Sequence, residues 1–129
     1  LTLHGNIVGT MNYMSPEQIT GQPIDHRSDI FAVGLVLYEL FSYCQAFPGS
    51  NLATLTYRIV HGQAEPLREV EPTLDAELCA VVDRAMARDP ADRYPHLEAV
   101  RTDLLRIAAR LSPTEAAALA TEGPSSRPE

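Results

Sequence analysis

The feature that most constrains the fold of this chain is an apolar segment that begins near Ser28. Its bulky apolar residues fall on nearly every face of a helix: Ile30, Phe31, Val33, Leu35, Val36, Leu37, Leu40 and Phe41. A helix that is apolar on all faces has to be covered on all sides. We therefore expect a central helix around which the other helices pack, with Ser28 as its N-cap and Asp29 in its first turn.

Other segments also have helical signals, and none shows the alternation of a β-strand. Apolar spacing and capping residues predict a short helical turn after Ser15 and helices over residues 51–60, 75–88 and 95–111, with residues 63–73 as a connecting loop. Gly62 is placed to stop the first of these three helices. Residues 112–129 are a mixture of Pro, Ser, Ala and Glu, which predicts a disordered tail or linker with a short helical stretch near residues 115–120. The expected fold class is mainly α.

The charge of the chain excludes several classes of partner and ligand. Its formal net charge is −7 and its pI is about 5.0, so we expect no binding of nucleic acid, including by a helix-turn-helix arrangement of the short helices. All ten basic residues are arginine. A phosphate-binding loop of the P-loop type requires a lysine after its glycines, so that site is excluded as well.

The cysteines, histidines and apolar runs give no sign of secretion, a membrane span or a metal site. Cys44 and Cys79 form no CxxC pair, and we expect both to be buried free thiols in a reducing, cytoplasmic environment. The longest apolar run, residues 30–38, is too short to cross a bilayer. The four histidines lack the spacing of zinc ligands: His4, His26, His61 and His96. No metal ligand is predicted.

Three motifs occur in an order that resembles part of a known family. Gly9-Thr10-Met11-Asn12-Tyr13-Met14-Ser15-Pro16-Glu17 is followed by Ser28-Asp29-Ile30-Phe31-Ala32-Val33-Gly34 and then by Asp89-Pro90-Ala91-Asp92-Arg93. Together they resemble the second half of the C-terminal lobe of a serine/threonine protein kinase, of the kind found in bacteria. The resemblance covers residues 3–110 and implies a partial kinase domain over residues 1–111, without the N-terminal lobe and the catalytic loop.

The resemblance implies a role for several residues of the first motif. Gly9 and Thr10 would belong to the loop where a protein substrate docks, with the Thr10 hydroxyl bridging catalytic side chains in serine/threonine-specific enzymes. Ser15, Pro16 and Glu17 would end the activation segment, with Ser15 in place of the usual alanine. A simpler interpretation is that these residues only fold a loop.

The resemblance also implies packing roles for three later residues. Arg93 would form a buried ion pair with Glu17, which would tie the activation segment to the lobe. Asp29 would match a buried aspartate that accepts N–H bonds from the catalytic loop, or else it caps its own helix. Gly34 would allow two helices to approach closely, since a glycine within a helix otherwise costs about 0.5–1 kcal/mol relative to alanine.

No catalytic residue is assigned to this chain. The run His26-Arg27-Ser28-Asp29 resembles a kinase catalytic loop but has one extra residue and follows the Ser-Pro-Glu motif instead of preceding it. The intact enzyme is expected to use ATP and Mg²⁺. For this chemistry the kinase family uses a lysine, the aspartate of the catalytic loop and the aspartate of an Asp-Phe-Gly motif, and this chain contains no lysine and neither motif. Whether the chain is an enzyme by itself is left open.

Two functions from different classes follow from the resemblance. The first is the substrate-docking part of a serine/threonine kinase, inactive alone, whose partners are a protein substrate and the missing N-terminal half. The alternative is a non-catalytic helical module, derived from a kinase, that binds proteins through the surface its missing half would otherwise cover.

Overall fold

The computed structural model describes residues 11–49 and 51–112, and these residues form helices joined by short loops. The helices are α1 (Pro16–Thr20), α2 (Arg27–Ser42), α3 (Leu52–His61), α4 (Leu67–Val70), α5 (Ala76–Ala85) and α6 (Leu97–Leu111). A single 3₁₀ turn, Pro90–Asp92, precedes α6. The described part of the chain contains no β-strand, so the expected mainly-α fold class is confirmed.

Capping side chains begin three of the helices where the sequence predicts them. Ser15 starts α1 with a capping box, in which its hydroxyl accepts from the Gln18 N–H and its own N–H donates to the Gln18 side chain. Asn51 accepts from the N–H of Thr54 at the start of α3. Asp75 caps α5 in the same way. Each cap satisfies a backbone donor that the helix leaves without an intrahelical acceptor.

Helix α2 lies at the centre of the fold and packs against α5 and α4, while α6 packs on the other side of α5. The core forms three adjacent clusters. The first cluster contains Phe31 and Leu35 together with residues of α3. The second cluster contains Ile30 together with residues of α5 and α6. Tyr38 joins the third, beside α4 and α5. Residues of α2 therefore contribute to all three clusters, and α5 contributes to two of them.

Gly34 lies where α2 closely approaches the end of α5. A Cβ atom at this position would lie 2.7 Å from Cγ of Met86 and 3.0 Å from Cβ of Ala85. Carbon atoms that are not bonded pack best at about 3.5–4.0 Å. A side chain at this position would therefore push the end of α5 away from the central helix.

The structure corrects several sequence-based predictions about local structure. Ser28 does not cap α2: the cap position is His26, and Ser28 lies buried inside the first turn. The predicted loop over residues 63–73 contains the short helix α4, and the helix predicted over residues 75–88 ends at Ala85. Cys79 is buried as expected, but Cys44 is exposed. The predicted tail helix near residues 115–120 lies outside the described residues.

The expectation that α2 is buried on all sides is also wrong. Val36 is 47% exposed and Leu40 is 62% exposed, although Leu35 and Tyr38 on the opposite side are only 2% exposed. The described part of the chain covers the face of α2 that carries Leu35 and Tyr38 and leaves the face with Val36 and Leu40 open. Apolar residues on all faces of α2 therefore do not ensure that this part of the chain covers them all.

Candidate functional site

The buried ion pair between Glu17 and Arg93 joins two segments that lie far apart in the sequence. Nη1 of Arg93 donates to Oε2 of Glu17 at 2.6 Å, and Nη2 donates to Oε1 at 2.9 Å. The side chain of Arg93 is fully buried and that of Glu17 is 7% exposed. Two parallel N–H···O bonds fix the orientation of both groups. The pairing is the one that the resemblance to protein kinases implies.

Arg93 uses all of its donors within this site. Besides the two bonds to Glu17, its guanidinium donates to the backbone carbonyls of Arg27, Ala87 and Arg88. A guanidinium has five N–H donors, so none is left unsatisfied. Its carbon atom also lies 4.8 Å from the centre of the Phe31 ring. Arg93 thus holds together the start of α1, the start of α2 and the segment after α5.

The electrostatic environment keeps Glu17 ionised. Burial alone raises the pKa of this carboxyl group, but the hydrogen bonds from Arg93 and Ser28 outweigh burial and lower the pKa to about 2. The Ser28 hydroxyl donates to Oε2 of Glu17 at 2.6 Å. Because the carboxylate is charged at any ordinary pH, the ion pair between Glu17 and Arg93 persists over that pH range.

Ser28 and Ser15 extend this buried site in a way that the sequence motifs do not reveal. The Ser15 hydroxyl donates to the Ser28 hydroxyl at 3.2 Å, and both side chains are almost completely buried. The buried cluster is therefore Ser15, Glu17, Ser28 and Arg93. A serine close to the start of a helix looks like a cap in the sequence. Only the position of α1 shows that Ser28 points toward the carboxylate.

Residues 11–20, which we call the anchored segment, are also attached to α2 and to the loop after it. The Tyr13 hydroxyl donates to Oε1 of Glu39 at 2.6 Å, and this bond is the main reason that the pKa of Tyr13 is raised. Asn12 donates from Nδ2 to the side chain of Gln45 at 2.9 Å. The anchored segment is therefore held at both ends, by polar contacts at residues 12–13 and by the ion pair at Glu17.

The remaining residues singled out in the sequence have different outcomes. Asp29 lies in the first turn of α2 as expected, but its side chain is exposed and makes no hydrogen bond or ion pair with the described residues. Gly34 and Pro16 are in the packed interior, Pro16 at the first position of α1. Gly9 and Thr10 lie outside the described residues, so their predicted docking role stays a prediction.

An apolar surface runs along the open side of α2. We call Val36, Leu40 and Tyr43 the apolar stripe; Tyr43 is 92% exposed, and the three lie four and three residues apart. Val36 and Leu40 share one face of α2, and Tyr43 is the residue that directly follows the helix. With Tyr13 and Glu39 they line a shallow groove of about 380 Å³. Exposed Asp29 lies on the same face, seven residues before Val36.

Comparison with known proteins identifies the family of this chain. The protein kinase domain family matches residues 3–105, which is most of the chain. The chain belongs to the protein kinase family. The described residues of the matched region form helices and contain no strand.

The curated kinases that resemble this chain are much longer than it is. The tyrosine-protein kinase MasK of Myxococcus xanthus is 41% identical over 98 residues, covering 76% of this chain and 15% of MasK. The serine/threonine-protein kinase PknB of Mycobacterium tuberculosis is 37% identical over 101 residues, covering 78% of this chain and 16% of PknB. The chain thus spans about a sixth of the length of these kinases.

A solved kinase structure supports the fold at lower sequence similarity. The twitchin kinase region from C. elegans aligns with a TM-score of 0.65 and 20% identity, over 75% of this chain and 16% of that one. This likeness concerns the fold alone. None of the helices in the described part of the chain is long and apolar enough to span a membrane.

ATP and Mg²⁺ are implied for an intact kinase, and the residues of this chain do not fit them. The chain has no lysine to hold the phosphates of a nucleotide. Among the described residues, no three acidic, histidine or cysteine side chains converge on a point where a metal ion could bind. No step of phosphoryl transfer is therefore assigned to residues of this chain.

Proposed function

We propose that this chain is the substrate-docking part of a serine/threonine protein kinase and that it is inactive alone. ATP binding and phosphoryl transfer would come from the kinase residues that precede the matched region. The observation that carries this proposal is the buried Glu17–Arg93 pair, which fixes the anchored segment on the helical core directly after Gly9 and Thr10. A cytoplasmic location belongs to the same proposal and is supported by the two free thiols.

The ion pair supports a docking role because it gives the preceding loop a rigid end. A docking loop has to position the substrate residue accurately relative to the reacting phosphate, because a misplacement of 1 Å can cost about 100-fold in rate. Both ends of the anchored segment have hydrogen-bonded partners on α2, the following loop or Arg93. Thr10 precedes this segment directly in the sequence.

A chimeric kinase tests this function. The part of the PknB kinase domain that aligns with residues 3–105 is replaced by the sequence of this chain, and phosphate transfer from Mg-ATP to a generic protein substrate is measured. We expect the chimera to be active and the whole chain alone to be inactive. Thr10→Ala should lower the activity of the chimera by about 100-fold, whereas Thr102→Ala, on the exposed face of α6, should leave it unchanged.

Two results would refute this function. One is phosphate transfer by the purified chain alone, which would mean that its own residues carry the chemistry. The other is a chimera that folds with native stability and binds ATP but transfers no phosphate. Equal activity of the Thr10→Ala and Thr102→Ala chimeras would remove the docking role of Thr10 while leaving the kinase assignment in place.

A second candidate function, a non-catalytic module that binds proteins, is favoured by the apolar stripe. Soluble proteins rarely leave contiguous apolar surface open, and such a surface usually marks a place of contact. The kinase residues that precede the matched region are the partner that best fits a surface on α2. If the chain is a non-catalytic module, it should bind that partner, and the complex should transfer no phosphate.

Mixing experiments distinguish the two candidates. The PknB residues that precede its matched region are added to the whole chain, and complex formation is followed by sedimentation. Leu40→Ser should weaken the complex. The matched control is Leu111→Ser, because Leu111 lies at the end of α6 and is 56% exposed. Binding together with phosphate transfer favours the kinase function; binding without transfer favours the module; no binding contradicts the module.

A further inference from the structure

The start of α2 contacts both partners of the buried ion pair. The backbone carbonyl of Arg27 accepts a hydrogen bond from Nη1 of Arg93 at 3.0 Å. The hydroxyl of Ser28 donates to Oε2 of Glu17 at 2.6 Å, and Ser28 is only 3% exposed. The first turn of the central helix thus supplies one acceptor to the guanidinium and one donor to the carboxylate.

The two partners of the pair do not depend equally on their other contacts. The guanidinium of Arg93 donates to three backbone carbonyls besides the carboxylate. The carboxylate of Glu17 accepts side-chain hydrogen bonds from Arg93 and Ser28 alone among the described residues. The two parallel bonds from Arg93 fix the carboxylate relative to the guanidinium, and the bond from Ser28 fixes it relative to α2. Without Ser28, the orientation of Glu17 would depend on Arg93 alone.

The direction of each hydrogen bond around Ser28 follows from the number of protons. A serine hydroxyl has one proton, and a carboxylate can only accept. The Ser28 proton therefore lies toward Glu17, and the Ser28 oxygen accepts from the Ser15 hydroxyl at 3.2 Å. The Ser15 hydroxyl also lies 3.1 Å from Oε1 of Gln18, but that oxygen already receives the N–H of Ser15 at 2.8 Å. Ser28 is thus the acceptor that lacks another donor.

These bonds form a relay that begins and ends on α1. The backbone N–H of Gln18 donates to the Ser15 hydroxyl at 3.3 Å, and that hydroxyl donates to Ser28, which donates to Glu17. Because Glu17 and Gln18 are neighbours in the chain, the relay closes a ring between α1 and α2. All three donors point the same way, and hydrogen bonds in such a chain strengthen one another.

We propose that Ser28, supported by Ser15, is the positioning residue of the anchored segment. It holds the carboxylate of Glu17 in the one orientation that keeps α1 fixed on α2. Position 15, where the kinase family usually has alanine, adds the second link of the relay. A role of the relay in substrate docking rests on the proposed function, because the anchored segment directly follows Gly9 and Thr10 in the sequence.

The dependence of stability on pH tests the bond from Ser28 to Glu17. Burial raises the pKa of Glu17, while the hydrogen bonds from Arg93 and Ser28 lower it to about 2. Ser28→Ala should raise this pKa by about 1, because a hydrogen bond that favours the charged form is lost. The drop in the urea midpoint that Ser28→Ala causes should therefore be constant above about pH 4 and shrink as the pH falls from there toward 2.

Ser42→Ala is the matched control on the same helix. Ser42 is 8% exposed, and its hydroxyl donates to the carbonyl of Tyr38 at 2.7 Å, so alanine again removes a buried hydroxyl that is hydrogen-bonded. It lies 14 residues after Ser28, or about 21 Å along α2. The drop in midpoint that it causes should not change over the same pH range. Equal independence of pH for Ser28→Ala would overturn the proposal.

A double-substitution cycle tests whether Ser15 acts through Ser28. Ser15→Ala removes the cap of α1 as well as the relay, so a change in stability at one pH does not separate these roles. Its pH profile does. Ser15→Ala should change the profile in the same direction as Ser28→Ala but less, and should change it no further in a chain that already carries Ser28→Ala. Equal changes in both backgrounds would overturn the relay. If Ser28→Ala does not fold, the profile of Ser15→Ala against that of Ser42→Ala decides.

Hydrogen exchange on the whole chain tests the positioning of α1. The amides of Ile19 and Gln22 donate to the carbonyls of Ser15 and Glu17, so their exchange reports on this helix. Ser28→Ala should speed both by about tenfold relative to the amide of Thr54 at the start of α3, since local opening of α1 becomes easier. Ser42→Ala should leave this ratio unchanged. An unchanged ratio in folded Ser28→Ala would contradict a positioning role.

The chimeric kinase tests the consequence for docking. In an active chimera, Ser28→Ala should lower kcat/KM for the protein substrate by about tenfold and leave KM for Mg-ATP unchanged. Ser42→Ala should leave both unchanged, and an equal loss of kcat/KM in both variants would overturn the role in docking. The measurements of pH dependence and exchange need neither ATP nor substrate. An inactive chimera therefore contradicts the kinase function, while those measurements still decide whether Ser28 positions the anchored segment.

Discussion

Replacement of Glu17 by alanine leaves the guanidinium of Arg93 buried without its counter-charge. Three of the five donors of Arg93 would keep their carbonyl acceptors at Arg27, Ala87 and Arg88, and the other two would point into the space left by the carboxylate. The Ser28 hydroxyl would lose its acceptor as well. Since the Arg93 side chain is fully buried, water does not replace the lost contacts without opening the structure.

The expected loss in the free energy of unfolding is about 3–5 kcal/mol, the usual cost of removing one partner of a buried ion pair. A domain of this size has a total stability of about 0.05–0.15 kcal/mol per residue, or roughly 6–19 kcal/mol. The substitution therefore removes a large share of the total. With a urea dependence of about 2 kcal/mol per molar, the unfolding midpoint should fall by about 1.5–2.5 M.

Urea unfolding followed by circular dichroism at 222 nm measures this loss. Arg101→Ala is the matched control, because the Arg101–Glu98 pair is exposed at both ends and should cost at most about 0.5 kcal/mol. Glu17→Gln keeps the shape of the side chain and removes only its charge, so it should lie between the unchanged chain and Glu17→Ala. A double substitution of Glu17 and Arg93 by alanine should be less destabilising than the sum of the two single substitutions.

The pH dependence gives an independent check on the same pair. The pKa of Glu17 falls from the ordinary 4.5 to about 2 on folding, so the group stabilises the fold fully above pH 5 and loses this effect as the pH falls toward 2. The difference in stability between the unchanged chain and Glu17→Gln should therefore shrink across that range. A difference that is constant with pH, or a cost below about 1 kcal/mol for Glu17→Ala at pH 7, would refute the buried ion pair.

Three further substitutions test other parts of the fold. Gly34→Ala should lower stability by about 1–3 kcal/mol in thermal unfolding, because its Cβ would lie 2.7 Å from Met86. Asp75→Ala should lower it by about 1 kcal/mol by removing the cap of α5, and this cost should shrink in acid because Arg110 lowers the pKa of that carboxyl group. Leu40→Ser should change the stability of the chain by less than about 0.5 kcal/mol, because Leu40 is 62% exposed.

Local patterns predict most helices of this chain but not their ends. Ser15, Asn51 and Asp75 cap helices where the sequence predicts helices to begin, and each cap uses hydrogen bonds within four residues of the chain. Ser28 has the same local pattern and does not cap α2, since its hydroxyl donates to Glu17 instead. Helix α5 ends at Ala85, and the carbonyl groups of Ala87 and Arg88 after it accept hydrogen bonds from Arg93.

The sequence alone determined the helical fold class and most of the helices, which depend on periodicity and capping. The partners in the buried ion pair followed from the resemblance of its motifs to those of protein kinases. The tertiary structure decided which faces are covered. It brought Ser15 and Ser28 to the ion pair and left Cys44 and the apolar stripe exposed. Burial depends on neighbours that are distant in sequence, so a pattern along one helix cannot fix it.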